Sequence, residues 1–188
     1  MQDPGESMSD DELYRRYLDG DRSAGDQLMI RYADSLTAYL AGFVHSEQDA
    51  EDLMLDCFTV ILVNKPAIGE GRFRAYLFRM ARNKACRMWR TRFGRQEFEI
   101  GEDIPSSGDS PEETAYKSER TAILHKCLGR IAPQYREALW LFYFMGLSYE
   151  QAASVMGCTK KKIDNLLMNG KKSLRRELEK EGVMDADV

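Results

Sequence analysis

Residues 71–95, GRFRAYLFRMARNKACRMWRTRFGR, hold nine arginine or lysine residues, five aromatic residues and one asparagine, and no carboxylate. A guanidinium forks onto phosphate oxygens through paired hydrogen bonds. An aromatic ring offers a flat face on which an unstacked base can lie, and an asparagine amide can read a base edge. Together these types suit the holding of a single-stranded nucleic acid. Wound as a helix at ~100° per residue, the segment places Leu77, Met80, Ala81, Ala85 and Met88 in a packing stripe interrupted by Lys84. Arg79, Arg82, Asn83, Arg87 and Arg90 gather opposite, with Tyr76 and Trp89 along the edges. Two plainer readings exist. A basic amphipathic helix can lie on anionic membrane, but this apolar stripe is narrow and runs on from a domain core. A merely solvated face is the other, but like charges repel unless something neutralises them.

A second basic island lies at residues 159–176, with seven basic residues and one acidic. It belongs to LSYEQAASVMGCTKKKIDNLLMNGKKSLRREL, which starts at Leu147. Ser148 and Gln151 make a capping box that opens a short helix. Gly157-Cys158 turns the chain, and Thr159 caps a second helix that starts with Lys160, Lys161 and Lys162. Helix, glycine-containing turn and helix form the helix-turn-helix pattern. Ile163, Leu166, Leu167, Leu174 and Leu178 share one side of the second helix. Lys161, Asn165, Met168 and Lys172 lie opposite, flanked by Lys162, Asp164 and Asn169. A recognition helix needs this division. Asn165 can pair with adenine, Lys161 with guanine, and Asp164 can accept from cytosine; the remaining lysines, Lys160 and Lys171 among them, can neutralise phosphates.

These islands sit in a chain of 188 residues with a formal net charge of -4. Residues 1–60 carry fourteen acidic and four basic residues, and residues 96–119 carry eight acidic and one basic. Basic islands separated by acid are the electrostatic footprint of nucleic-acid binding. No Ser-His-Asp, Cys-His, carboxylate-pair or phosphate-loop motif stands out, and His45 and His125 stand alone, so no catalytic chemistry and no small-molecule substrate are expected. The four cysteines (Cys57, Cys86, Cys127, Cys158) form no C-x-x-C pair. They read as buried reduced thiols, with no metal or cofactor site. No apolar run approaches the ~18 residues of a membrane span, and the polar, acidic start is unlike a signal peptide. A cytoplasmic protein without membrane insertion is expected.

The elements that position the islands read as helices throughout. Asp10 to Leu18 forms one, Ala24 to Phe43 a second, and Ser46 caps a third that Pro66, Gly69 and Gly71 end. The first basic helix follows. Residues 96–111, rich in Gly, Pro, Ser and acid, have linker composition. Ser110-Pro111 restarts helix, and a further helix runs from about Pro133 to Gly146. The expected architecture is all-α: two small helical domains, 10–95 and 111–180, joined by an acidic flexible linker at 96–110, with the helix-turn-helix in the second.

DAEDLMLDCFTVIL, then GRFRAYLFRMARNKA, an acidic linker, and LSYEQAASVMGCTKKKIDNLLMNGKKSLR resemble, in that order, the extracytoplasmic-function sigma factors of bacterial RNA polymerase. The likeness runs from about Asp11 to Leu178. It implies that Asp49, Glu51, Asp52, Leu53, Asp56 and Phe58 lie on a segment docking on the clamp of the polymerase's largest subunit. It implies that Arg72, Phe73 and Arg74, with the helix behind them, open the −10 promoter element and hold a flipped base. The helix from Lys160 to Asn169 would read the −35 element in the major groove, and the acidic linker would thread toward the polymerase active centre. Core polymerase (clamp and flap), promoter DNA and an anti-sigma factor are the implied partners. Many members carry a basic residue where this chain has Leu166 and Leu167 after Asp164-Asn165, so no particular −35 sequence is implied. On the residues alone, a stand-alone DNA-binding regulator and a protein-interaction module built on the acidic third helix stay open.

Overall fold

A computed structural model describes residues 8–44, 46–93 and 119–183. The linker 96–110, the helix start at Ser110-Pro111 and His45 lie outside them. Among the described residues the chain is helical, without strands, the all-α class that the sequence implies. It forms two compact units, Met1–Ala85 and Cys86–Val188. The division falls inside the fourth helix, short of the boundary expected at residue 95.

In the first unit, α1 spans Asp10–Leu18 and is capped by Ser9, whose hydroxyl accepts from the Glu12 N–H at 3.2 Å. Helix α2 spans Arg22–Ala41 with Asp21 as its cap. Helix α3 spans Glu47–Asn64 with Ser46 as its cap, the residue chosen from sequence. Helix α4 spans Phe73–Phe93, of which Phe73–Ala85 belong to this unit. Helices α1 and α2 pack closely at Gly25, where a Cβ would stand 2.7 Å from the Tyr17 ring. Leu13, Leu28, Leu36, Leu40, Phe58, Ile61, Leu77 and Phe78 are all but fully buried. Each such side chain contributes roughly 1.5–3 kcal/mol of transfer free energy. The Cys57 thiol is buried here, and burial pushes it up to about 12, so it stays a protonated packing group.

In the second unit, α5 spans Glu119–Arg130 and α6 spans Pro133–Leu139. The helix anticipated from Pro133 to Gly146 is regular only in its first half. Over Trp140–Phe144 it widens into a π turn, closed by the Met145 N–H on the Trp140 carbonyl at 3.0 Å. The wider turn keeps Leu141 buried while leaving Tyr143 and Phe144 exposed. Helix α7 spans Tyr149–Met156, and α8 spans Lys160–Lys180. Helix α8 passes α6 at Gly170, where a Cβ would lie 3.3 Å from Leu139 and Tyr135. Cys127 is buried in this unit and Cys158 half-buried. Among the described residues no helix is long and apolar enough to cross a membrane.

Candidate nucleic-acid interface

Along α4 and the residue before it, Arg72, Tyr76, Arg79, Asn83, Arg87 and Arg90 recur every three or four positions. At ~100° per residue they fall within an arc of about 80°. Tyr76 is half-exposed and the other five are exposed. One ridge therefore presents four guanidiniums, one amide and one ring. It can contact phosphates along its length, with a single ring on which a base can lie.

Other residues anticipated on this face are taken by the fold. Phe73 is 1% exposed, its ring centroid 5.3 Å from that of Tyr14 and 6.0 Å from that of Tyr32. Arg82 and Trp89 are 7% and 8% exposed. Of the packing stripe drawn from sequence, Leu77, Ala81 and Ala85 are buried while Met80 and Met88 are half-exposed, and the stripe is also too narrow. Phe73, Ala75, Phe78 and Cys86 join Leu77, Ala81 and Ala85 in the buried set, so the buried arc covers well over half of the helix and takes in Arg82 and Trp89. Arg74 is half-buried and committed to its own unit. Its Nε donates to the Tyr32 hydroxyl at 2.9 Å, and its guanidinium lies 3.6 Å from Asp10. The Tyr32 hydroxyl in turn donates to Asp10, which also pairs with Arg31 at 2.6 Å. Burial, then the bond to Asp10, pushes the Tyr32 phenol up to about 12. The phenol therefore stays protonated, and a hydrogen-bond donor to Asp10, across the physiological range.

The acidic helix α3 divides similarly. Glu51, Asp52 and Asp56 are exposed, Asp49 is half-exposed beside its cap, and Asp56 meets Lys84 at 3.3 Å. Leu53 and Phe58, anticipated as docking residues, are 5% and 1% exposed and belong to the core. The outward apolar residues are Leu55 and Val63. With Asp52, Asp56 and Thr59 they share one exposed side of α3. Their signal was in the sequence, since both are apolar yet out of phase with the buried Leu53, Cys57 and Ile61.

The second unit follows its sequence reading closely. The Ser148 hydroxyl accepts from the Gln151 N–H at 3.2 Å, and Gln151 Oε1 accepts from the Ser148 N–H at 2.9 Å. Gly157 turns the chain with φ 64°, and the Thr159 hydroxyl accepts from the Lys162 N–H at 3.2 Å. Ile163, Leu166, Leu167, Leu174 and Leu178 are buried. Lys161, Lys162, Asp164, Asn165, Met168 and Lys172 are exposed. Two lysines are partly engaged: Lys160 pairs with Glu150, and the Lys171 ammonium lies 4.9 Å over the Tyr143 ring. A single outward face thus carries one amide, one carboxylate and several ammonium groups at the start of a capped helix, the arrangement that reads a major groove.

Residues 28–93 match Sigma-70 region 2, and residues 121–174 match Sigma-70, region 4. The chain is 28% identical over 184 residues to the RNA polymerase sigma-H factor of Pseudomonas aeruginosa, covering 90% of this chain and 94% of the relative. It is 30% identical over 171 residues to the ECF RNA polymerase sigma factor BldN of Streptomyces coelicolor, covering 89% and 65%. The chain belongs to the extracytoplasmic-function sigma factors. A solved relative in fold is the sigma factor RpoE of Bartonella quintana in complex with the anti-sigma factor NepR. It matches with a TM-score of 0.63 at 24% identity, covering 82% of this chain and 96% of that one.

As a sigma factor, the protein directs RNA polymerase to promoters, and sigma factors initiate transcription rather than catalyse it themselves. The region 2 match takes in the whole of α3 and α4, and the region 4 match takes in the helix-turn-helix. Helix α1 lies before the matched segments. Sequence reading missed the grip of its residues Asp10 and Asp11 on distant elements, because acids at a helix start already have a local explanation as dipole partners.

Proposed function

We infer that this sigma factor holds the opened strand of the −10 element against Arg72, Tyr76, Arg79, Asn83, Arg87 and Arg90. The observation that carries the reading is their shared arc of about 80° over about five turns, clear of the buried side of α4. Arginines bind the strand's phosphates, Tyr76 supplies a stacking face, and Asn83 can read a base edge. Stacking of an extruded base contributes roughly 1–3 kcal/mol, which offsets an unstacking cost of similar size. The α8 face reads the −35 duplex, with Lys161, Asp164 and Asn165 at base edges. Met168 can make apolar contact with a thymine methyl. Thr159, Lys160, Lys162, Lys171 and Lys172 serve the flanking phosphates.

Core polymerase docks on the side of α3 formed by Asp52, Leu55, Asp56, Thr59 and Val63, with Glu51 beside it. The apolar pair at its centre and the acidic rim suit a partner surface that is apolar with basic edges. The protein carries no chemistry of its own and acts in the cytoplasm, where an anti-sigma factor restrains it by competing for polymerase-facing surfaces. The acidic linker 96–110 occupies the polymerase channel shaped for RNA, another polyanion.

The test is transcription by core polymerase from a related bacterium, with and without the purified chain, on a genomic promoter library. Discrete start sites that appear only with the chain are expected. Core enzyme whose start sites are unchanged by the chain would overturn the assignment.

A further inference from the structure

Helix α1 faces the loop that joins α3 to α4, and three of its side chains bond backbone atoms of that loop or of the last turn of α3 before it. The Tyr17 hydroxyl donates to the Leu62 carbonyl at 2.6 Å. The Tyr14 hydroxyl donates to the Pro66 carbonyl at 2.7 Å. Asp11 Oδ2 accepts from the Gly71 N–H at 2.6 Å. Spaced three residues apart on α1, they secure the last turn of α3, the start of the loop and its end.

Each grip answers a local need. Leu62 lies in the last turn of α3, whose carbonyls lack helical partners, and the Tyr17 hydroxyl satisfies one of them. Lys65, which ends α3, takes the left-handed conformation at φ 45°, unusual for a side-chain-bearing residue. Its ammonium lies 5.0 Å from the centre of the Tyr17 ring. Helix α4 has no acidic residue in its first turn and is preceded by Arg72. Asp11 supplies the missing negative charge at that positive helix end. One turn further along, Asp10 and Tyr32 hold Arg74 as described above.

All three bonds go to main-chain atoms, so they fix the path of the loop without using its side chains. Ala67, Glu70 and Arg72 are exposed and Ile68 is half-exposed. The loop ends at Arg72, the first residue of the basic arc. Its conformation therefore sets where that arc begins.

We propose that α1 is the positioning element of the promoter-reading surface: Asp11, Tyr14 and Tyr17 hold residues 65–72 in register, so that base preference at the −10 element depends on a helix outside the matched sigma region. This inference rests on the assignment of the α4 arc to the opened −10 strand. Asp11, Tyr14 and Tyr17 act through the loop and are positioning residues.

The test uses holoenzyme reconstituted with core polymerase and a promoter library randomised across the −10 region, with start-site transcripts sequenced. The variants are Tyr14→Phe, Tyr17→Phe, Asp11→Ala and their combination. Asp11→Asn, which keeps an acceptor for the Gly71 N–H, is the conservative arm. Leu36→Ala, a truncation in the core of the same unit, is the control for loss of stability alone. The combined variant is expected to relax −10 base preference about tenfold, as loss of more than one modest hydrogen bond allows. Preference over a −35 library should stay unchanged, Asp11→Asn should restore most of the Asp11→Ala loss, and Leu36→Ala should lower yield without altering preference. A combined variant with wild-type preference overturns the proposal, as does a Leu36→Ala protein whose preference relaxes equally. A wild-type holoenzyme without any −10 preference would instead remove the α4 assignment on which the proposal stands.

Discussion

Helices α4 and α8 are both 21 residues long and both basic, yet they spend their charge differently. Helix α8 packs through one apolar line, and nearly every polar residue assigned to DNA stands outside it. Helix α4 is buried on more than half of its circumference. Phe73 and Trp89 are withdrawn, Arg82 is buried, and Arg74 is bound to Asp10 and Tyr32. A run of arginines and rings marks a binding surface residue by residue only when the helix rests on its domain through one narrow side. Where packing wraps most of the helix, rings and even guanidiniums go to the core, and only the arc left over is available to a ligand.

The largest effect expected from this contrast is on stability. Phe73→Ala should destabilise the first unit by about 3–5 kcal/mol, read by urea unfolding. A stability change near zero would return Phe73 to the nucleic-acid face. In α8 the corresponding substitution should behave oppositely. Asn165→Ala should leave unfolding within about 0.5 kcal/mol of wild type. It should cost about 1–3 kcal/mol of discrimination at one −35 base pair, measured by competition among promoter variants. Unchanged discrimination at every position would remove Asn165 from the readout.

A smaller effect separates phosphate contacts from base contacts within α8. Lys172→Ala should weaken promoter binding evenly across sequences and lower the salt dependence of holoenzyme binding by about one unit of slope. A sequence-selective loss would instead make Lys172 a base reader. The smallest effect concerns the far end of α8. Bonds from Lys126 and Arg130 hold the Glu181 carboxyl below its usual range. A depressed carboxylate adds stability that is fully present above its unfolded-state value, near 4. That stability is lost as pH falls through the lower native value. Glu181→Gln should therefore narrow the gap to wild type in melting temperature as pH drops from neutral to below about 4. A gap that widens toward acid would contradict the sign.

The contrast also explains what could be read from sequence. In the helix-turn-helix the capping box that opens α7, the left-handed glycine turn that ends it and the one-sided apolar pattern of α8 act locally, so Thr159, Lys161 and Asn165 fell where expected. Gly170 was legible in principle as a glycine on the apolar line, but the approach of α6 that requires it is tertiary. In α4 and α3 the helices themselves were read correctly and the side-chain assignment was partly wrong. Phe73, Leu53 and Phe58 were placed by motif position, whereas burial is decided by how much of each helix its neighbours cover. The grip of α1 on the loop was illegible, because its bonds join residues 45, 52 and 60 positions apart.

The most direct test of the account is permanganate footprinting of promoter complexes formed by holoenzyme carrying Asn83→Ala with Arg87→Ala. Both residues lie in the exposed arc of α4. The account predicts normal association with core polymerase, normal −35 binding, and a loss of thymine reactivity in the −10 region of about tenfold or more, the cost of one to three kcal/mol. Thymine reactivity equal to that of wild type in the same complexes would contradict it.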